Sequence, residues 1–383
     1  MEKENRSSLG RRNFLTTGVA GVASAWALGH TTPLLASQKP EAKATPSPSC
    51  EKASDARDKL PLTFACGLYD RMLPLYSGKV SPEGIDLKFL AMDEPRAIFD
   101  RMGGQLDFDA SEFSSSEFIT RFSAGPCPFV AIPVFPSRVF RHGHITVNRK
   151  CGITKPKDLE GKRVGVPLYT QTAAIFIRGL LQHEYGVDLS KIHWVQGEMN
   201  APGAHGSPTV LPLLKPVSIE IADANKSLSG LLEERAIDAV IGAGVPTAIR
   251  TNPDIQRLFP NYAVVEREYY KRTKIFPIMH LVVIRRDVYE LHPFIAASLF
   301  NAMGHSKKRA LARMHELGAM PYMLPWMTAE VDEIDETFAG GDPYPYGVEA
   351  NRATLEALVT YMYEQYMIPA PIPIEKLFLK VDS

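Results

Sequence analysis

The chain has 383 residues, 45% of them hydrophobic and 22% charged, and its 43 basic and 43 acidic side chains give a formal net charge of zero. A chain of this length and apolar content can fill two ordinary domain cores, which excludes a wholly disordered polymer. The even charge and the lack of a long basic run in the body of the chain give no support to a nucleic-acid or anionic-membrane surface and point to a small molecule or a protein as partner.

Residues 1–36 read as a twin-arginine (Tat) export signal. Arg11 and Arg12 precede a mildly apolar run from Phe14 to Leu28, and a small-residue cleavage point falls near Ala36. The run is short and weak for a transmembrane helix, so a cleaved signal and an uncleaved anchor both stay open. The Tat machinery is then the first expected partner and the periplasm the expected location. Residues 37–59, rich in Pro, Ala, Ser, Lys and Glu, read as a solvated linker. Cys50 lies in it without the pattern of a lipid-attachment site. Cys66, Cys127 and Cys151 have no zinc-like spacing and are expected as buried free thiols.

From Leu62 strand and helix alternate, which predicts an α/β fold with largely parallel sheet. Strands are expected at Leu62–Gly67, Ile85–Leu90, Phe108–Ser111 and Phe129–Val134, with helices at Pro95–Met102 and Ser114–Phe122. A second unit has strands at Arg163–Val166, Ile192–Val195, Val217–Ile221 and Ala239–Gly242, and helices at Thr172–Tyr185 and Leu228–Glu234. The chain then returns to the first unit through a buried strand at Pro277–Ile284, a long helix at Pro293–Gly318 and a late helix at Glu349–Tyr366. The expected division is lobe 1 over 60–150 plus 245–383 and lobe 2 over 151–244, with a ligand cleft between them.

The richest stretch is Lys155 to Ala174, KPKDLEGKRVGVPLYTQTAA. Pro167 ends a β-branched strand where Tyr169, Thr170, Gln171 and Thr172 offer hydroxyl and amide groups ahead of a helix N-terminus, a setting that receives a carboxylate. Tyr69 and Asp70 follow the first strand, where they either contact a ligand or cap a turn. Glu112, Ser114 and Ser115 carry the same ambiguity at the next helix start. Arg138 and Arg141, three apart beside His142, could converge on one anion. His142 is the better candidate proton donor, because His280 sits inside the apolar PIMHLVVI and reads as a core histidine. No metal constellation and no cofactor motif is visible.

KPKDLEGKRVGVP resembles the second-lobe start of periplasmic solute-binding proteins (type 2) of the nitrate, sulfonate and thiamine-precursor kind. Longer blocks, CPFVAIPVFPSRVFRH at Cys127–His142, GKRVGVPLYTQTAA at Gly161–Ala174, the run from Arg257 to Pro293, YMLPW at Tyr322–Trp326 and PYGVEANRATLE at Pro345–Glu356, resemble the 4,5-dihydroxyphthalate decarboxylase family. The resemblance covers Leu62 to Leu379. It implies a two-lobed periplasmic-binding-protein-like fold and an aromatic carboxylate as ligand, decarboxylated without cofactor. Two departures favour a non-catalytic solute receptor serving an ABC-type permease. These are the export signal and GAGVPTAIR at Gly242–Arg250, where the family carries an Arg-Ala-Pro-Ser type segment. Both readings stay open.

Overall fold

A computed structural model describes residues 59–381 other than Val210; the export signal, the expected linker through residue 58 and Cys50 lie outside the described residues. The first run comprises β1 (Leu60–Cys66), α1 (Leu73–Tyr76), β2 (Ile85–Ala91), α2 (Pro95–Gln105), β3 (Ala110–Ser114), α3 (Ser115–Ser123) and β4 (Phe129–Arg138). There follow β5 (Ile145–Asn148), β6 (Arg163–Val166), α4 (Thr172–Tyr185), β7 (His193–Gln196), β8 (Ile219–Ile221), α5 (Leu228–Glu233), β9 (Ala239–Ile241) and β10 (Ile255–Arg257). The last run is α6 (Tyr262–Thr273), β11 (Ile278–Arg285), α7 (Arg286–Leu291), α8 (Phe294–Met314), α9 (Met327–Thr337) and α10 (Arg352–Glu364). Local chemistry sets several bounds. Pro95 occupies the first turn of α2, Ser114 caps α3 through the Glu117 N–H, and Gly186 ends α4 in the left-handed region.

The strands form two sheets, ordered β2-β1-β3-β11-β4 and β10-β5-β9-β6-β7-β8. Each follows one plan. In the first, β1 runs parallel to β2 and β3, and β11 runs antiparallel to both β3 and β4. In the second, β6 runs parallel to β7 and β9, and β5 runs antiparallel to both β9 and β10, with β8 added beyond β7. The antiparallel strand of each sheet is the one entered directly after the chain crosses over from the other sheet. This is a two-lobed α/β fold with two crossovers, residues 139–144 and 258–277.

The crossovers are bound to each other. Val139 N–H donates to the Pro277 carbonyl at 3.1 Å, Gly143 N–H donates to Glu266 Oε1 at 3.0 Å, and the Phe140 and Phe276 rings stack 4.3 Å apart. Two crossovers tied to each other in this way are a hinge geometry.

The second sheet reaches from Ile145 to Arg257, wider than the 151–244 expected for lobe 2. Ile145 pairs with Ile241 and Ile255 with Asn148, so β5 and β10 are pulled into it by backbone pairing that their few residues do not announce. The C-terminal helix also departs from a simple lobe 1 assignment. α10 packs on α4, where a Cβ at Gly179 would collide with the Tyr361 ring. One core cluster runs from Phe113 and Phe118 through Val164 and Ile175 to Leu358. A second, with Phe64, Val282, Leu299 and Met303, fills the face of the first sheet under α8, and a third, with Val195, Leu228 and Val240, lies under α5.

Candidate functional site

β3 runs between β1 and β11, so its side chains reach groups from both neighbours. Register places Val282 opposite Glu112 and His280 opposite Ser114. The pairing of β11 with β4 breaks register on both sides of His280. Pro133 and Pro136 deprive β4 of ladder donors in this stretch, and an irregularity of this sort re-aims a side chain. His280 Nδ1 lies 2.5 Å from Glu112 Oε1. The Tyr69 hydroxyl donates to the same oxygen at 2.7 Å, while the Gly67 N–H at 2.9 Å and the Cys66 thiol at 3.4 Å donate to Oε2. A Cβ at position 67 would sit 3.0 Å from the Tyr69 ring, a tight approach that would make the phenol give way.

These four donors decide the charge of a carboxylate that is fully buried. Burial alone would push Glu112 up. The charge and hydrogen bond of His280, with the Gly67 and Tyr69 donors, outweigh it and hold the carboxyl below the ordinary glutamate value. Burial, then Glu112 itself, pushes the Tyr69 phenol and the Cys66 thiol upward, so both stay protonated. Because Glu112 occupies Nδ1, Nε2 is the nitrogen of His280 that can exchange a proton. The ring keeps 17% of its side chain exposed, and its other neighbour is Phe99, edge-on at 4.8 Å.

The second lobe meets this wall through the predicted turn. Thr172 Oγ1 donates to Ser116 Oγ at 2.9 Å, accepts from the Ser116 N–H at 3.1 Å and lies 3.2 Å from Ser114 Oγ. Ser116 Oγ donates to the Thr170 carbonyl at 2.9 Å. The seam between the lobes is therefore closed here by hydroxyls of both walls. The Ser111, Ser115 and Thr170 hydroxyls are buried without a protein partner, a costly state outside functional sites. Gln171 turns its amide nitrogen to His205 Nε2 at 3.1 Å, and His205 Nδ1 lies 2.9 Å from Glu198 Oε2.

Tyr169, expected to contact ligand, instead anchors the turn. It is buried beneath the Arg178 guanidinium, 3.8 Å from its ring centroid, and its carbonyl accepts from Arg178 Nη2 at 2.7 Å. Arg178 is itself fully buried, with Nε donating to Gln365 Oε1 at 2.8 Å. Burial pushes the Arg178 guanidinium down to about 10.

The expected convergence of Arg138, Arg141 and His142 on one anion is not what the structure holds. Arg138 is spent on the hinge. Its guanidinium donates to Asn351 Oδ1 at 2.6 Å and to the Phe276 carbonyl at 2.9 Å, over the Phe276 ring. Arg141 donates to the Ala243 carbonyl at 3.0 Å, and burial pushes it down to about 9. His142 is enclosed by the Tyr185, Phe259 and Tyr269 rings, and burial pushes it down to about 4. Tyr185 is the last residue of α4 and Thr172 the first, so this ring sits about 20 Å from the turn it was expected to face. His142 is a neutral core residue, and His280 takes its place as the proton-carrying candidate. Asp70 opens the turn after β1 and is spent locally, pairing with Arg71 at 3.0 Å and accepting from the Tyr322 hydroxyl at 3.0 Å. Ser114 both caps α3 and joins the seam. The missed residues are His280 and, on the other wall, His205. Glu112 is 168 residues from His280, so only the β3–β11 pairing brings the two together.

A two-lobed α/β chain with crossover-hinged sheets and polar groups lining the seam belongs to the periplasmic-binding-protein class of folds. Residues 139–206 match the family model described as NMT1/THI5 like. A 4,5-dihydroxyphthalate decarboxylase of Comamonas testosteroni is 38% identical over 294 residues, covering 76% of this chain and 88% of that protein. One from Pseudomonas putida is 36% identical over 56% of this chain and 83% of its own length. Among solved structures, the periplasmic aliphatic sulphonate binding protein SsuA from Escherichia coli aligns with a TM-score of 0.47 at 10% identity, over 83% of this chain and 97% of that one. The chain belongs to the 4,5-dihydroxyphthalate decarboxylase family.

Proposed function

We propose that this protein binds an aromatic dicarboxylate of the 4,5-dihydroxyphthalate type in the seam between its lobes and decarboxylates it without a cofactor. The observation that carries the reading is the Glu112–His280 pair, a buried carboxylate holding one nitrogen of a partly exposed imidazole. In such a substrate each carboxylate-bearing carbon is para to a hydroxyl, so the ring can push electrons onto that carbon. Protonated His280 delivers its Nε2 proton there. The C–H bond forms, the C–C bond to the carboxylate breaks, and carbon dioxide leaves while the ring regains aromaticity. The balance is one dicarboxylate and one proton giving one monocarboxylate and carbon dioxide.

The remaining groups position and dry the substrate. Phe99 walls the histidine with apolar surface, which favours expelling charge as neutral carbon dioxide. The unpartnered Ser115 and Thr170 hydroxyls supply donors for the carboxylates. Entry requires the Ser116–Thr172 contacts to part about the two crossovers. We place the reaction in the periplasm, on the strength of the twin-arginine segment. The second reading, a solute receptor serving an ABC-type permease, is favoured by the Gly242–Arg250 segment. There Ala243 offers a carbonyl already taken by Arg141 rather than a cationic side chain.

The test is carbon dioxide release from purified protein with 4,5-dihydroxyphthalate, run beside calorimetric binding. The expected result is turnover that falls ~10²- to 10⁴-fold in His280→Gln and is retained in His142→Ala. Tight binding with no carbon dioxide in the wild type would leave the receptor reading standing and sink the enzyme.

A further inference from the structure

The seam carries a second histidine–carboxylate pair, on the opposite wall. His205 sits in the loop between β7 and β8, its Nδ1 2.9 Å from Glu198 Oε2 and its Nε2 3.1 Å from the Gln171 amide nitrogen. With Nδ1–H given to Glu198, Nε2 is the acceptor nitrogen, and the Gln171 amide donates to it. Gln171 Oε1 is buried without a partner. A donor from the amide, an acceptor at Oε1 and a basic nitrogen thus stand side by side.

Two chains of contact set this cluster against the His280 wall. Gln171 precedes Thr172, whose hydroxyl lies 3.2 Å from Ser114 Oγ, and Ser114 is the residue paired with His280 across the sheet. From the other side, Gly206 packs on the Arg96 side chain, and the Ser207 N–H donates to Asp100 Oδ2 at 2.9 Å. Arg96 lies over Phe99 at 5.2 Å, and Phe99 contacts His280. The charged groups around His205 are accordingly Glu198 from its own lobe and Arg96 and Asp100 from α2. Arg96 is already paired with Glu117 at 2.6 Å.

We infer that His205, with Gln171, is the general base that recognises and ionises a hydroxyl of a vicinal aromatic diol, opposite the acid His280. This rests on the decarboxylase reading and deepens it. The substrate hydroxyl takes the place of the Gln171 N–H at His205 Nε2, its O–H breaks and the proton passes to that nitrogen. The oxygen's electron pair then moves into the ring toward the para carbon, which takes the proton from His280, and carbon dioxide departs. His205 returns its proton to the oxygen as aromaticity is restored, and His280 is reprotonated from water. No oxidant or reductant is involved. Gln171 accepts from the adjacent hydroxyl through Oε1, so ring acids without a diol bind without being activated.

The experiment uses the full protein and 4,5-dihydroxyphthalate. In His280→Gln, where carbon–carbon cleavage is slowed, bound ligand is expected to show the longer-wavelength absorbance of an ionised catechol at neutral pH. Adding His205→Gln is expected to abolish that shift with binding kept within about threefold. On its own, His205→Gln is expected to lower kcat by ~10²-fold or more with KM little changed. Glu198→Gln, which keeps the shape of the loop, is expected to weaken both signals in the same direction. Wild-type turnover that survives unchanged in His205→Gln overturns this inference and leaves the decarboxylase reading intact. Absence of both binding and turnover in the wild type overturns the two together.

Discussion

Replacing Glu112 by glutamine separates the charge of the buried carboxylate from its shape. Four donors converge on Glu112: His280, Tyr69, the Gly67 N–H and the Cys66 thiol. The Gly67 N–H cannot rotate, so the amide oxygen of the variant must face it and the amide NH₂ must face Tyr69 and His280. The Tyr69 hydroxyl can turn to accept. His280 can meet the NH₂ only with Nδ1 unprotonated, which moves the ring proton to Nε2 and removes the imidazolium the proposed step uses. The turnover loss is expected at ~10²- to 10⁴-fold. The charge-assisted bond to His280 is worth ~1.5–3 kcal/mol, partly offset because an amide is cheaper to bury, so stability should fall by about 1–2 kcal/mol. The pH dependence has a fixed sign. Glu112 is held below its unfolded value, so its contribution is complete above about pH 4.3 and disappears as pH falls through the lower folded value. The wild-type advantage in urea unfolding should therefore be level near neutrality and shrink below about pH 4. Wild-type turnover in Glu112→Gln, or an advantage that grows on acidification, would refute the assignment.

Three further outcomes follow from the geometry. His142 is pushed down to about 4 by burial from an ordinary value near 6.5, so the fold loses about 3 kcal/mol as pH falls between those values. His142→Phe should flatten that part of the acid-unfolding curve and leave turnover unchanged. Arg138→Met strands the Phe276 carbonyl and the Asn351 amide oxygen, at ~1–3 kcal/mol each, so melting should fall with kcat retained. Thr172→Val keeps volume but removes the hydroxyl shared by Ser114 and Ser116, and calorimetry should show ligand binding weakened by about five- to tenfold.

The parts of this molecule legible in sequence are those whose signal is local. β6 and α4 lie where β-branched periodicity and helical spacing put them, Arg163–Val166 and Thr172–Tyr185. β10, three residues long, exists because β5 offers it an edge, and nothing in Ile255–Arg257 says so alone. The site divides in the same way. The turn from Tyr169 to Thr172 was visible as a row of polar groups behind Pro167, but its first residue proved to be an anchor because Arg178, nine residues on, stacks over it. His280 was hidden by its apolar neighbours, since a strand buried on both faces reads as core whatever single polar residue it carries. Its meaning depends on Glu112, and Glu112 had only an ambiguous helix-start context. The Arg138–Arg141–His142 cluster misled for the opposite reason. Spacing brings two arginines and a histidine together in sequence, while the crossover turns each toward a different neighbour.

The return of the chain to the first sheet through β11 also dictates an order of assembly. The second sheet draws every strand from one uninterrupted stretch, Ile145 to Arg257, and can close as soon as that stretch is synthesised. The first sheet cannot close then, because β3 and β4 are held apart until β11 slots between them, and β11 begins only at Ile278. Until then β1 to β4 wait with unpaired edges, a long-range closure that is slow and aggregation-prone. β11 also delivers His280. The last strand to complete the first lobe is thus the one that brings the histidine to its carboxylate, and a chain stopped short of it has neither a finished sheet nor the Glu112–His280 pair.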